Sequence, residues 1–204
     1  YGRGEIQTRY RISERATLSL GAYLNKGNTS SFFYWKDAES GAYQAAEGTV
    51  TDSKRTRYFI DPQFTYFSKA GGRHRLQGRV LSIDNNVSGG RSNASLNVFT
   101  EYQYVKDWEG LGLSLTAGAV YNRSTVNAPL YGDSTFLGQN SSLYFQLDKK
   151  IGDRLTLSTG WRYENFILKG PSQLGDYTFP GGRESQDKPV WRFGGNWQAA
   201  DYTY

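Results

Sequence analysis

Residues 96–121 read LNVFTEYQYVKDWEGLGLSLTAGAVY, and two runs of alternating polarity lie in this one stretch. Leu96, Val98, Thr100, Tyr102 and Tyr104 alternate with Asn97, Phe99, Glu101 and Gln103. After Asp107-Trp108-Glu109-Gly110 the pattern resumes with Leu111, Leu113, Leu115, Ala117, Ala119 and Tyr121, with Gly112, Ser114, Thr116 and Gly118 between them. A period of two puts successive side chains on opposite faces of a β-strand. The spacing therefore predicts a hairpin with one apolar and one polar face. What covers the apolar face decides the architecture. A soluble sheet lays it against a second layer, whereas an outer-membrane barrel lays it against lipid.

The 204 residues are enough for one domain with a sizeable core, yet only 37% are hydrophobic while 16% are aromatic, including 16 Tyr and 5 Trp. An ordinary core runs on Leu, Ile and Val. Amphipathic rings in this number suit a membrane–water boundary better. Mean hydropathy is −0.66, and no run approaches the ~18 consecutive apolar residues of a spanning helix. The tightest cluster is Phe32-Phe33-Tyr34-Trp35. That excludes a helical membrane protein but not a barrel, whose strands show only half their residues to lipid. The absence of Cys removes disulfide scaffolds and thiolate metal sites. Met is absent too and no signal segment opens the chain, so a mature product or a piece of a longer chain is expected. The net charge of +5 comes without a Lys/Arg run, which argues against nucleic acid as a partner.

The same rhythm repeats along the chain. Alternating runs at 6–13 and 16–33 join through Glu14-Arg15. Runs at 55–67 and 73–84 join through Ser68-Lys69-Ala70-Gly71-Gly72. Runs at 143–149 and 155–168 join through Ile151-Gly152-Asp153, and a ninth occupies 190–198. Longer polar loops are expected at 36–53, 85–93, 124–139 and 169–188. Short and long connections thus alternate, as in an antiparallel up-and-down transmembrane β-barrel with short turns at one end and long loops at the other. Asp61, Arg79, Glu101, Arg162, Glu164 and Arg192 all fall on the polar face, where a wet lumen accepts charge. Tyr66, Phe67, Tyr102, Tyr104, Trp108 and Trp197 gather near strand ends, as interfacial girdles require. The whole chain reads as a single barrel segment without a second domain. After Trp197 the apolar positions shift from odd to even, so Tyr202-Thr203-Tyr204 is expected to begin a tenth strand of a larger barrel.

The stretches RYFIDPQFTYFSKAGGRHRLQGRVLSIDNN, LTLSTGWRYENF and VWRFGGNWQAADYTY resemble the central barrel of a TonB-dependent outer-membrane receptor. The likeness covers nearly the whole chain and rests on strand rhythm and texture. It implies a 22-stranded barrel in a Gram-negative outer membrane, plugged by an N-terminal domain that is not in these residues. Through that plug the TonB complex would drive uptake of a scarce iron chelate, haem, vitamin or glycan. No ligand residue carries over by motif, and no cofactor is implied.

Other residues carry narrower expectations. Phe32, Tyr34, Trp35, Tyr131, Phe136, Tyr177 and Phe179 are the ligand-facing candidates of the outer loops, since rings flanked by polar groups stack on flat solutes; the alternative is that they are girdle residues or loop-packing contacts. Lys36, Lys54, Arg55, Arg91 and Lys188 are candidates for lipopolysaccharide phosphates. His74, the only histidine, has no Cys or second His beside it, so it reads as a solvated strand-end residue and not as a metal ligand. No nucleophile stands with a base and an orienter, so catalysis is not expected. Gly89-Gly90-Arg91 and Gly71-Gly72-Arg73 lack the Gly-Lys-Ser/Thr ending of a phosphate loop and read as turns. Asn28, Asn86, Asn93, Asn122 and Asn140 form Asn-x-Ser/Thr sequons expected at strand ends or in loops. In a secreted glycosylated β-sandwich they would carry glycans. A passive porin-like or small adhesin-like barrel is the other rival.

Overall fold

The structure, a computed structural model, describes residues 1–39, 41, 43–131, 134–178 and 180–199. Nine strands form one antiparallel sheet, in the spatial order of the chain. They are β1 (Gly2–Ser13), β2 (Ala16–Ser31), β3 (Thr51–Phe67), β4 (Gly72–Val87), β5 (Asn93–Trp108), β6 (Leu113–Ala128), β7 (Ser134–Ile151), β8 (Leu155–Lys169) and β11 (Arg183–Trp197). A two-stranded ribbon, β9 (Gln173–Leu174) and β10 (Tyr177–Thr178), lies in the connection between β8 and β11. No described helix is long and apolar enough to cross a membrane, which says nothing about strands. Phe179 and the expected tenth strand at 202–204 lie outside the described residues.

The pairing has a regular slant. Ala16, where β2 begins, shares one cross-strand row with Tyr66, His74, Tyr104, Ala117, Phe145 and Trp161. β8 starts at Leu155, six residues below that row and six strands away. At the other end, Lys169 closes β8 in the row of Leu24, whereas β2 continues seven residues further, to Ser31. Both ends thus slide by one residue per strand. With a rise of about 3.4 Å per residue and about 4.8 Å between strands, that stagger is a strand tilt of about 35°.

Connections at the lower end are tight. In the β3–β4 turn, Gly71 at φ 78° donates its N–H to the Ser68 carbonyl at 3.0 Å. In the β5–β6 turn, Gly112 closes a single 3₁₀ turn at φ 54°, and a Cβ there would come within 2.9 Å of the Lys150 carbonyl. Inside β3, Pro62 has no N–H to donate, and the ladder to β4 skips from Ile60↔Val80 to Gln63↔Gln77 without losing register. Pro189 sits on the edge strand β11, where proline is tolerated.

The sheet is one layer thick. Among the described side chains no large one is fully buried, and the substantial contacts all join adjacent strands. Exposure is inverted with respect to a soluble sheet. In β3 the even-numbered residues Tyr58, Ile60, Pro62, Phe64 and Tyr66 are exposed, whereas Phe59, Asp61, Gln63 and Thr65 are half-buried. On β7, Leu143 is 57% exposed and its neighbour Ser142 only 4%. The sheet curls towards its polar face, so polar side chains crowd on the concave side and apolar ones splay on the convex side.

Several expected loops are shorter than the sequence suggests. Residues 85–87 and 93 belong to β4 and β5, leaving only 88–92 as a turn. Residues 124–128 and 134–139 extend β6 and β7. Residues 183–188 belong to β11, and β1 begins as early as Gly2. All five sequon asparagines consequently lie inside strands. The strict alternation of short and long connections softens: the connections 32–50 and 170–182 are long, while 88–92 and 129–133 span only five residues each. Where both faces become polar, the contrast that marks a strand disappears.

Gly118 tests the packing of the concave face. A Cβ there would meet the Tyr102 carbonyl oxygen and the Tyr144 ring, both at 2.5 Å. Gly118→Ala is expected to lower stability by about 1–3 kcal/mol through overpacking. Gly138→Ala meets only Leu168 at an ordinary 3.7 Å and should cost less, and denaturant unfolding of both variants checks the order.

Candidate functional site

Strand parity brings the six charged residues expected inside a barrel onto the concave face, where the registers sort them into groups. In the first, Asp61 on β3 and Arg79 on β4 stand opposite each other at the gap left by Pro62. Arg79 Nε donates to Asp61 Oδ1 at 2.7 Å, and the pair bridges the strands where the backbone ladder does not. The Arg79 guanidinium also lies 4.9 Å from the centre of the Phe59 ring, which stacks on Tyr23 at 5.1 Å. A forked guanidinium spans a carboxylate and an aromatic face in a way that a Lys ammonium does not.

The second group centres on Glu101. Gln77 Nε2 and Tyr144 Oη each donate to its carboxylate at 2.6 Å. Gln103 Nε2 donates to Tyr144 Oη at 3.2 Å, and Arg75 Nη2 donates to Gln103 Oε1 at 3.2 Å. The chain of bonds runs from β4 to β7 and makes both Glu101 oxygens acceptors. Arg162, whose guanidinium is 5.9 Å from the Tyr144 ring centre, donates from Nε to Glu164 Oε1 at 2.6 Å. Arg192 lines a smaller hollow with Gln146 and Ser158.

Between β1 and β6 the concave face encloses an open hollow of about 800 Å³, lined by Gln7, Arg9, Asp61, Gln63, Arg79 and Asn97 among others. Asn97 Nδ2 donates to Asn122 Oδ1 and Ser124 Oγ, each at 2.7 Å. Amides and guanidinium groups thus dominate this floor, and it can offer many hydrogen-bond donors to a polar solute.

The loop candidates are divided among three connections at the upper end. The β2–β3 loop folds on itself: a bridge joins Trp35 to Ala45, Lys36 N–H donates to the Gln44 carbonyl, and Ala46 N–H donates to that of Tyr34, both at 2.8 Å. Tyr34 is 71% exposed, and Trp35 packs at 4.7 Å against Tyr43, whose φ of 67° is left-handed. Tyr131 meets Phe136 edge-on at 6.5 Å, and Phe136 belongs to β7 and not to a loop. Tyr177 stands exposed on β10. Among the described residues no ring contact links the three groups.

Other placements depart from expectation. His74 is half-buried, not solvated: its ring lies among Tyr66, Tyr102 and Tyr104, and Nδ1 is 2.8 Å from Tyr102 Oη. Phe67 has the parity of the polar face. Arg55 and Lys188 also face the concave side, where Arg55 Nε donates to Asn85 Oδ1 at 2.9 Å. Arg91 binds Thr51 Oγ1 at 2.9 Å. Among the described residues no three acidic or His side chains gather as a metal site. Tyr144 and Tyr43 were missed in the sequence: parity alone could have placed Tyr144 on the polar face, but nothing local marks Tyr43.

Comparison of the chain with protein-family models, curated proteins and solved structures finds no match.

The half-buried bond between Tyr144 and Glu101 should be energetically real. In a double-mutant cycle of Tyr144→Phe and Glu101→Gln, a coupling of about 1–2 kcal/mol is expected, as for a hydrogen bond to a charged acceptor. Additive losses in denaturant titrations would show that the two side chains stand independently.

Proposed function

We propose that the chain forms part of the wall of an outer-membrane transport barrel of the TonB-dependent receptor kind, taking up a scarce solute through a wet interior. The observation that carries this reading is the inverted exposure of a one-layer sheet. The convex face is apolar and uncovered, while the concave face is polar, charged and hydrogen-bonded. Lipid is the solvent that makes such a convex face favourable, because only the backbone must be satisfied there and the ladder does that.

Dimensions agree with a bilayer. The convex face is apolar over residues 58–66, 96–104, 113–121 and 155–163, nine residues on each strand. At a tilt of about 35° nine residues climb about 22–25 Å, close to the ~25 Å apolar belt of outer-membrane barrels. The same face carries Lys54, Arg123 and Asn165 above the belt and Lys106 below it. Tyr58, Tyr121 and Tyr163 edge it above, and Tyr66, Tyr104 and Trp197 edge it below, as interfacial rings do. The strands run on beyond the upper edge, which supports a raised rim carrying the aromatic loops for ligand capture, with lipopolysaccharide as neighbour. Energy would come from the TonB complex, acting through a plug carried elsewhere in the protein.

Two measurements test the reading. Val98→Arg or Ala117→Arg on the convex face should cost about 2–4 kcal/mol when the full protein is unfolded from lipid vesicles, against little for Ser114→Arg on the concave face, between Asp107 and Asp148. Near-equal costs would sink the membrane assignment. Deletion of the cell's TonB should abolish solute uptake while the protein stays in the outer membrane. Uptake that persists assigns the chain to a passive porin-like barrel instead.

A further inference from the structure

The two rims of the convex face differ in charge. Above the apolar belt the face mixes signs, with Lys26, Lys54 and Arg123 beside Asp52, Asp84 and Asp187. Its lower part carries Lys106, Lys149 and His74 and, among the described residues, no carboxylate. Asp107 and Asp148 have the opposite parity, and Glu14, Glu109 and Asp153 sit in turns. When the slide of one residue per strand is followed, Tyr10, Tyr66, Lys106, Lys149 and Trp197 come to one height. The lower rim is thus a level band of rings with cations between them.

Within this band several groups converge at the β3–β4 hairpin. The His74 ring lies 4.9 Å from the Tyr104 ring. A Cβ on Gly72 would come within 2.8 Å of Tyr104 Oη, and one on Gly71 within 3.2 Å of Lys106 Nζ. Imidazole, phenol and ammonium therefore follow one another down the end of β4, over residues 74, 72 and 71. Glycine at 72 is what lets the Tyr104 ring come against the strand. Lys106 donates to the Ala70 carbonyl, and its Nζ stands 5.9 Å from the Trp108 ring centre. Donor capacity remains, because an ammonium has three N–H groups, and Tyr104 Oη makes no hydrogen bond among the described residues. Two strands on, Lys149 repeats the arrangement with its ammonium on the Leu111 carbonyl.

We infer that this rim binds an anionic phospholipid, whose headgroup phosphate accepts hydrogen bonds from Lys106 Nζ and Tyr104 Oη and whose acyl chains lie upward along the convex face. Bonds from an ammonium to phosphate oxygens are charge-assisted. Each lysine beside an anionic lipid surface adds attraction, and no carboxylate on this part of the face opposes it. The Tyr66 and Trp108 rings stand where the polar and apolar parts of a lipid meet. The short turns of an outer-membrane barrel lie on the periplasmic side, so the lipid belongs to the inner leaflet. The inference rests on the membrane reading of the convex face and adds the class of lipid that the wall holds.

The test uses the full-length protein purified in detergent and titrated with phosphatidylglycerol and, separately, phosphatidylcholine, with bound lipid counted by native mass spectrometry. Phosphatidylglycerol should bind several-fold more tightly. Its affinity should fall about fivefold in Lys106→Gln. Tyr104→Phe keeps the ring and the Lys106 bond to the turn, and should lower the affinity about threefold. Arg123→Gln, on the same face above the belt, should leave it unchanged, and inorganic phosphate should not displace the lipid. Equal affinity for the two lipids, displacement by inorganic phosphate, or an equal loss in Arg123→Gln overturns the inference. An affinity unchanged in both Lys106→Gln and Tyr104→Phe does so too. Any of these in a protein for which Val98→Arg is costly overturns this inference alone. Near-equal costs of Val98→Arg and Ser114→Arg overturn the membrane reading beneath it.

Discussion

The hydrogen-bonded ladder between adjacent strands is the constraint on which everything else in this molecule depends. Among the described residues no second layer covers either face and no large side chain is fully buried, so no apolar core forms between layers. Hydrophobic burial, usually the main driving force of folding, must come from whatever medium meets the convex side. Within the chain, order comes from the pairing of each strand with its neighbours across the nine-stranded sheet, in one register throughout β2–β8. Where Pro62 interrupts the ladder, the Asp61–Arg79 pair joins the same two strands through side chains. The uniform slant of one residue per strand gives the sheet its curl, and the curl decides which side chains crowd together and which splay apart.

Water on the concave side would account for its details together. The Glu101–Tyr144–Gln103–Arg75 chain ties β4, β5 and β7 with side-chain bonds, as suits a face whose groups would otherwise be solvated singly. Gly118 makes room for the Tyr144 ring within that chain. The convex side has the opposite texture, with rings such as Trp161, Tyr163 and Trp191 packed loosely on one another and outward. Both halves follow from one alternating pattern, read in register across neighbouring strands.

Period two was legible in the sequence wherever the faces contrast, as at 58–66 and 96–104. Asp61, Arg79, Glu101, Arg162, Glu164 and Arg192 could be assigned to one face from parity alone. The pattern faded above the apolar belt, where Asn122 to Thr125 and Gln139 to Ser142 are polar on both faces and yet remain paired. Partnerships were not legible. That Asp61 meets Arg79, and that Tyr144 reaches Glu101, depends on registers that no single strand encodes. His74 was misread because its neighbours Arg73 and Arg75 point to the concave side, whereas its own side joins three tyrosines contributed by β3 and β5. The Trp35–Tyr43 contact required a left-handed backbone at a tyrosine, which local sequence does not announce. The cationic lower rim was hidden because His74, Lys106 and Lys149 are scattered in sequence and gather only when the strands are aligned.

The topology in which nearly every strand pairs with its neighbour in the chain also governs how the sequence can change length. A hairpin end absorbs added residues without disturbing the rows beyond it, so the β2–β3 and β8–β11 connections are free to lengthen. A strand interior is not. One residue inserted near Val98 would exchange the faces of the rest of β5, sending Glu101 outward and Tyr102 inward. Two inserted residues would restore the faces but break the slant at that strand and move its turn out of line with its neighbours. Drift in length is therefore channelled to one rim of the sheet, so the upper edge can diversify while the wall keeps its parity.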